Sequence, residues 1–218
     1  MIATARRTDV EEQSDAKKAE ALRSSYTLWD WRRQISDLYA RIRAMSDAEM
    51  AAELWRTTRA ELFRNHPQTP LEAGAPAPDY FDYDPRMRFA VELAPATNDA
   101  PYHLPVSDGT VHLSPFAETV GLRSTLGGEL TAYWIDGYGG GVFLPFLDAT
   151  SGNATYGGGR YLLDTIKGAD LGWAEDGRII LDFNFAYHPS CFYSPRWTCP
   201  LPPSSNRLRA RVEAGERI

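Results

Sequence analysis

Long apolar runs are missing from this sequence. No stretch of eighteen apolar residues occurs, and the first 25 residues contain no apolar segment of seven. The first absence argues against a membrane-spanning helix and the second against a secretory signal, so we expect a cytoplasmic protein without a membrane partner. Acidic residues outnumber basic ones by 29 to 23. Because binding a nucleic-acid backbone needs a basic surface, DNA and RNA are not expected as partners.

Cysteine is equally scarce, with Cys191 and Cys199 as the only two. In a reducing cytoplasm, such cysteines are more often thiols or ligands than a disulfide. His188 precedes Cys191 at a metal-like interval, but seven residues separate the two cysteines and a fourth ligand is not obvious. We therefore expect two packed, reduced thiols and no cofactor. A disulfide, and a zinc ion held by His188, Cys191 and Cys199, are the alternatives.

The length of 218 residues suits one domain with a full core. Residues 1–25 carry too little apolar surface to offset the entropy of ordering, so we expect a disordered tail there. The remainder, 26–218, is expected to form a single domain. It would comprise a helical hairpin (26–66), a connector rich in proline and aromatic residues (67–85) and a β-rich core (86–218).

The hairpin is predicted from helical periodicity. Apolar residues recur at spacings of three and four across 28–45, which predicts an amphipathic helix that starts near Thr27. Ser46 and Glu49 form a capping-box pattern that starts a second helix, and Pro67 ends it. The buried face of this second helix is predicted to consist of Met50, Leu54, Trp55, Leu62 and Phe63.

Strand patterns dominate after Pro85. Short apolar or alternating segments separated by glycine turns predict an antiparallel barrel or sandwich. With the helices first and the strands later, the predicted class is α+β, mostly β, with the hairpin packed on the sheet. The expected strands lie around 89–93, 111–113, 130–134, 142–146, 179–183 and 208–212. Their alternating residues include Leu130, Ala132 and Trp134 in one segment and Leu208, Ala210 and Val212 in another.

A glycine-rich segment, DATSGNATYGGGRY (148–161), precedes one of the predicted strands. Three consecutive glycines could let a ligand approach the backbone, with Arg160 holding an anion in its planar fork. The segment lacks both the GKS or GKT ending of a P-loop and the spacing of a dinucleotide fingerprint. The alternative is structural, with Arg160 paired to a buried carboxylate such as Asp148 or Asp182.

Asp182 and Asn184 lie two residues apart in an apolar run, which places both on one face of a strand. Two polar groups on one face could orient a substrate or a water molecule, and burial would raise the pKa of the aspartate. They could equally satisfy backbone groups of the proline-rich segment that follows. Both interpretations stay open at this point.

Two long segments carry a family resemblance. FLDATSGNATYGGGRYL and LDFNFAYHPSCFYSPRWTCPLPPSSNRL, followed by EAGER, resemble the hallmarks of the bacterial and archaeal family catalogued as domain of unknown function 1684. The likeness extends over about residues 28–217, and it departs from the family at Ser204-Ser205, where members commonly have proline-glutamate. The family implies no reaction. Its motif maps onto Asp148, Thr155, Tyr156, Gly157, Gly159, Arg160, Asp182, Asn184, Tyr187, Pro189, Cys191, Cys199, Pro200, Pro202, Asn206 and Gly215.

Three functional hypotheses follow. The preferred one is a barrel module that binds a small polar or anionic ligand at a polar mouth. The second is a hydrolase-type enzyme in which Asp182 or His188 is the general base and Arg160 stabilises developing negative charge. The third is a structural clasp without a ligand. The candidate ligand-binding residues are Tyr156, Arg160, Asp182, Asn184, Tyr187, His188 and Asn206.

Overall fold

A computed structural model describes the chain over residues 2–98, 100–107 and 109–218, with side chains described from Gln13 onward. Two helices come first, α1 (Ile2–Arg43) and α2 (Ala48–Asn65). They are joined by a short turn and pack against each other, as the helical periodicity predicts. Helix α2 ends at Asn65, two residues before Pro67.

Three details of the helical prediction are wrong: the start of α1, the cap of α2 and the burial of Met50. Helix α1 starts at Ile2 and not near Thr27, because a helix that is already nucleated extends through alanine, glutamate, lysine and arginine without needing buried contacts. Its residues 13–25 are all exposed, where a disordered tail was expected. At α2 the cap is Asp47 and not Ser46, since its carboxylate accepts from the Met50 N–H at 3.0 Å. Met50 consequently points to solvent, with 62% of its surface exposed.

The strands follow, with two short helices between them. In chain order they are β1 (Asp79–Tyr80), β2 (Arg88–Pro95), β3 (Tyr102–Val106), β4 (Gly109–Val120), α3 (Arg123–Leu126), β5 (Thr131–Ile135), β6 (Gly141–Phe146), β7 (Arg160–Asp164), β8 (Ile179–Asp182), α4 (Ser190–Tyr193) and β9 (Glu216–Arg217). A 3-10 turn, Phe183–Phe185, continues directly from β8. None of the helices in the described ranges is long and apolar enough to cross a membrane.

The sheet is antiparallel and curls into a nearly closed barrel, which decides between the two predicted architectures. Its strand order is β7-β6-β5-β4-β2-β8, with β3 paired to the first half of β4. Register shifts between Pro115 and Ala117 and between Leu144 and Pro145 bend the strands. Bulges of this kind increase local twist, and they help a sheet to curl. A separate ladder pairs β1 with β9.

Apolar side chains line the barrel interior, and a second apolar cluster holds the helices against its outside. In the second cluster Trp55 of α2 packs on Phe185, with ring centroids 5.4 Å apart. The indole N–H of Trp55 donates to the Tyr39 hydroxyl at 3.1 Å, so the polar end of this buried ring has a partner. The predicted hairpin-on-sheet arrangement is confirmed.

Two predicted strand segments differ from the structure. In β5, Trp134 is 44% exposed while its neighbour Tyr133 is buried, because Trp134 packs beside Phe116 near the turn to β6. The segment 208–212 is irregular and not a strand, although Leu208 and Val212 are buried. Its N–H groups go to separate acceptors, namely the Leu147 and Leu126 carbonyls and the Asp148 carboxylate, instead of to a neighbouring strand.

Gly215 fixes the approach of this C-terminal segment to the barrel. Its φ is +77°, and an added Cβ would meet the carbonyl oxygen of Ala186 and lie 2.7 Å from that of Phe183. Gly177 has a similar φ of +83° with nothing within 4 Å of such a Cβ. The two glycines therefore share a left-handed backbone and differ in the space around them.

We expect Gly177→Ala to lower the free energy of unfolding by about 1–2 kcal/mol, the usual cost of a left-handed alanine. Gly215→Ala should cost about 1–3 kcal/mol more, because the methyl group also collides with backbone. Urea denaturation of both variants measures the difference. Equal losses at the two positions would contradict the close packing at Gly215.

Candidate functional site

Arg160, at the start of β7, fastens the C-terminal segment to the barrel. Its side chain is fully buried. One terminal nitrogen donates to the carbonyl oxygen of Val212 at 2.8 Å, and the other donates to those of Ala214 and, at 3.2 Å, Glu216. Its carboxylate partner is Asp148, at 3.4 Å. The guanidinium is therefore bound within the protein, as the clasp hypothesis requires.

Asp148, in the glycine-rich segment, binds the same C-terminal segment and Arg160. We call this set of contacts between residues 148–160 and 212–216 the clasp. One oxygen accepts from the Val212 N–H at 2.8 Å, and the carboxylate also accepts from the N–H and hydroxyl of Thr150. The Thr150 hydroxyl lies 2.9 Å from that of Thr155. Because these bonds hold the segment in a compact turn, its glycines shape the clasp and do not line an open phosphate cradle.

Asp182 and Asn184 form a separate polar group. Asp182 caps the 3-10 turn by accepting from the Asn184 N–H at 3.0 Å, and its ion-pair partner is Arg88 at 3.4 Å. Asn184 binds the backbone of Asp84 through both its amide oxygen and its amide nitrogen. Burial raises the pKa of the Asp182 carboxyl. No ion pair between Arg160 and Asp182 occurs in the ranges that the structure describes.

Asn206 is the third candidate whose side chain is hydrogen-bonded within the protein. Its amide oxygen accepts from the Thr131 N–H at 2.8 Å, and its amide nitrogen donates to the carbonyls of Thr131 and Pro145. It thereby joins β5, β6 and the C-terminal segment. Arg160, Asp182 and Asn206 thus occupy three different networks, and they do not converge on one pocket.

A buried carboxylate, Glu216, organises the remaining candidates. It pairs with Arg59 of α2 and accepts from the His188 N–H at 2.7 Å and from the Tyr193 hydroxyl at 2.6 Å. Tyr187 lies over Arg59, with the guanidinium carbon 5.0 Å from its ring centre. The structure therefore brings His188 and Tyr187 to one ion pair that links the helices to the barrel.

His188 occupies an apolar setting beside this ion pair. Its Nε2 accepts from the Tyr156 N–H at 3.2 Å, while its Nδ1 lies 3.6 Å from a Glu216 oxygen and has no hydrogen-bond partner among the described residues. Burial lowers the pKa of His188 to about 4. The ring is therefore neutral at pH 7.

The two thiols lie on the other side of Tyr156. Cys199 Sγ accepts from the Cys191 N–H at 3.3 Å, and the Tyr156 hydroxyl lies 4.0 Å from Cys191 Sγ. Both cysteines are free and half-buried. Within the described ranges no three His, Cys, Asp or Glu side chains are grouped so as to hold a metal ion.

Sequence reasoning missed Arg59 and Glu216. Arg59 lies four residues after Trp55 and three residues before the buried Leu62, on the inner face of α2. A charged residue within a buried helical stripe indicates a buried partner, and this signal was present in the sequence. Glu216, in a short polar C-terminal segment, carried no comparable signal.

Fold and site together define a class, an antiparallel barrel that carries a helical hairpin outside and is fastened by a C-terminal clasp. The chain belongs to the family described as protein of unknown function (DUF1684), whose model matches residues 77–217, and the predicted membership is confirmed. It is similar to an uncharacterized protein of Haloarcula marismortui solved by NMR in solution. The two are 31% identical over 78% of this chain and 94% of that one, with a TM-score of 0.52. Among curated proteins, none matches the chain.

The Arg160–Asp148 pairing predicts a specific rescue. Arg160→Ala leaves a buried carboxylate without its cation and should lower the free energy of unfolding by about 3–5 kcal/mol. Adding Asp148→Asn should recover part of this loss in chemical denaturation. Asp182→Asn is the matched control and should recover none, because Asp182 pairs with Arg88. Rescue by Asp182→Asn instead would contradict the observed pairing.

His188 predicts a pH dependence of stability. Because its folded-state pKa of about 4 lies below the unfolded value near 6.5, the unfolded state binds the extra proton and the fold loses stability as pH falls through this window. Between pH 7 and pH 5 the loss should be about 2 kcal/mol. Glutamine stays neutral, so in His188→Gln the free energy of unfolding should fall by about 2 kcal/mol less between these pH values. Chemical denaturation at pH 7 and at pH 5 measures the difference. An unchanged loss in His188→Gln would contradict the buried, neutral state of this ring.

Proposed function

We propose that this protein is a small-molecule-binding barrel whose ligand inserts a compact apolar group into the barrel interior. The residues predicted to form a polar mouth do not favour a polar or anionic ligand. Arg160, Asn184 and Asn206 each donate hydrogen bonds to backbone carbonyls of the protein itself. The hydrolase alternative needs Arg160 at an open site, and its side chain is fully buried. The observation that carries the proposal is an apolar cavity.

The cavity has a volume of about 120 Å³. Each of the six strands in the order β7-β6-β5-β4-β2-β8 contributes at least one lining residue, which places the cavity inside the barrel. The lining residues are Leu93, Phe116, Thr119, Ala132, Val142, Leu144, Leu163, Trp173, Ile179 and Leu181.

The one polar side chain among them does not make the lining polar. The Thr119 hydroxyl donates to a Glu129 carboxylate oxygen at 2.8 Å and accepts from the Leu130 N–H at 2.9 Å. Its hydrogen bonds are therefore satisfied by the protein. A cavity without free polar groups holds water poorly, and an apolar cavity of about 150 Å³ in another protein binds benzene. This barrel has room for a group of nearly that size.

The rim of the cavity carries two aromatic side chains that reach solvent. Phe116 is 41% and Trp173 is 66% exposed, although both also line the cavity. Exposed aromatic residues at the mouth of an apolar cavity can cover the part of a ligand that projects outward. We propose a cytoplasmic location for this activity, in keeping with the acidic composition and the two unpaired thiols.

Benzene is the probe that tests the cavity. At ten times its dissociation constant, a bound ligand adds about 1.4 kcal/mol to stability, which raises Tm by about 3–5 °C for a chain of this size. We expect this increase for the wild type and none for Ala132→Leu, whose larger side chain fills the cavity. Inorganic phosphate should give no increase, since none of the described residues that line the cavity is cationic.

Ala52→Leu is the matched control. Ala52 is buried in the apolar cluster between the helices and the barrel and does not line the cavity, so both variants crowd a buried site and only one fills the space. The control should keep the benzene-induced increase in Tm. No increase in the wild type, or an equal one in Ala132→Leu, would refute binding at this cavity. If phosphate raised Tm and benzene did not, the ligand site would be polar and not this cavity.

A further inference from the structure

We propose that Cys191 and Cys199 form a redox-active dithiol that reduces small disulfides, with Cys191 as the attacking sulfur and Cys199 as the resolving sulfur. The inference is independent of ligand binding in the barrel. It stands on the geometry of the two thiols and of the loop between them, and it replaces the expectation of two thiols that are only packed.

The two sulfurs are already neighbours without a bond between them. The Cys191 N–H donates to Cys199 Sγ at 3.3 Å, which places that sulfur beside the backbone of Cys191. Both cysteines are half-buried, so a small molecule can reach them. A sulfur this close to the backbone of the other cysteine can form a disulfide with little movement.

Other bonds hold the loop in place whether or not the disulfide is present. Beyond Cys199, the Pro200 carbonyl accepts from the Tyr161 hydroxyl of β7 at 2.6 Å. Before it, the Thr198 N–H donates to the Ser107 hydroxyl at 2.7 Å. The position of Cys199 is therefore fixed by the barrel, and the reduced pair is preorganised for closure.

The surroundings distinguish the two sulfurs. Hydrogen bonds from the Cys199 thiol and, next, from the Tyr156 hydroxyl lower the pKa of Cys191 to about 6, against the opposing effect of burial. The same hydrogen bond and burial raise the pKa of Cys199. At neutral pH Cys191 is thus a thiolate, the form that attacks disulfides, while Cys199 keeps its proton.

The reaction balances with a small disulfide, RSSR, as oxidant. The Cys191 thiolate attacks one sulfur of RSSR, the S–S bond breaks, and RS⁻ leaves a mixed disulfide on Cys191. Cys199 then loses its proton to the departing thiolate and attacks Cys191 Sγ, which closes the internal disulfide and releases the second thiol. Both protein sulfurs are oxidised, and one RSSR becomes RS⁻ and RSH.

Oxidised glutathione serves as the probe with the full-length, reduced protein at pH 7. By intact-mass measurement after acid quenching, the wild type should lose two hydrogens per chain and retain no glutathione. Cys199→Ser should accumulate one glutathione on Cys191, since its resolving thiol is gone. Cys191→Ser should react more slowly than Cys199→Ser, because burial disfavours the Cys199 thiolate and the Tyr156 hydroxyl lies beside the other sulfur.

Tyr156→Phe separates a chemical role of the tyrosine from a structural one. Without its hydroxyl, the pKa of Cys191 should rise, so the rate of glutathione attachment in the Tyr156→Phe, Cys199→Ser double variant should have its pH midpoint above that of Cys199→Ser. An unshifted midpoint would contradict the proposal that the Tyr156 hydroxyl lowers the pKa of Cys191. Two glutathiones per wild-type chain, equal rates for the two single cysteine variants, or no reaction at all would overturn the dithiol.

Discussion

The buried carboxylate of Glu216 is the group on which the rest of the structure depends. It is bound at once by Arg59 from the helical hairpin, by the His188 N–H and by the Tyr193 hydroxyl. An ion pair removed from water is stable only when further hydrogen bonds compensate the lost hydration. In Glu216, Arg59 binds one oxygen and the two further hydrogen bonds reach the other. One side chain therefore joins the helices, the barrel and the loop that carries the thiols.

Local patterns in the sequence were sufficient to predict the order of the elements and the fold class. Helical and strand periodicities depend on residues a few positions apart, so the hairpin, the order of elements and the mostly β class could be predicted. The choice of a barrel over a sandwich could not be predicted, because it depends on register shifts such as the one between Pro115 and Ala117. A register shift is a relation between two strands, and a single strand does not display it.

The site was predicted less well for the same reason. Arg160 was correctly singled out as a residue with a special role, but its partners are carbonyls in a segment more than fifty positions away. Backbone carbonyls of an irregular segment can accept hydrogen bonds at any residue, so the side-chain pattern of the sequence does not show where they will be. The cavity around Ala132 arises from the sizes of ten side chains on different elements, so no motif marks it. The cysteines stood out in the sequence, but their asymmetry depends on Tyr156, which comes from the glycine-rich segment.

The long separation between Arg59 and Glu216 has a consequence for biogenesis. The two residues are 157 positions apart. At ribosomal speeds of about 5–20 residues per second, roughly 8–30 s pass between the synthesis of one and of the other. Throughout that time a nascent chain displays the inner face of α2, with Trp55 beside a guanidinium that still lacks its carboxylate. The ion pair can therefore form only after the clasp has been synthesised, and until then this face of α2 lacks the carboxylate that neutralises its charge.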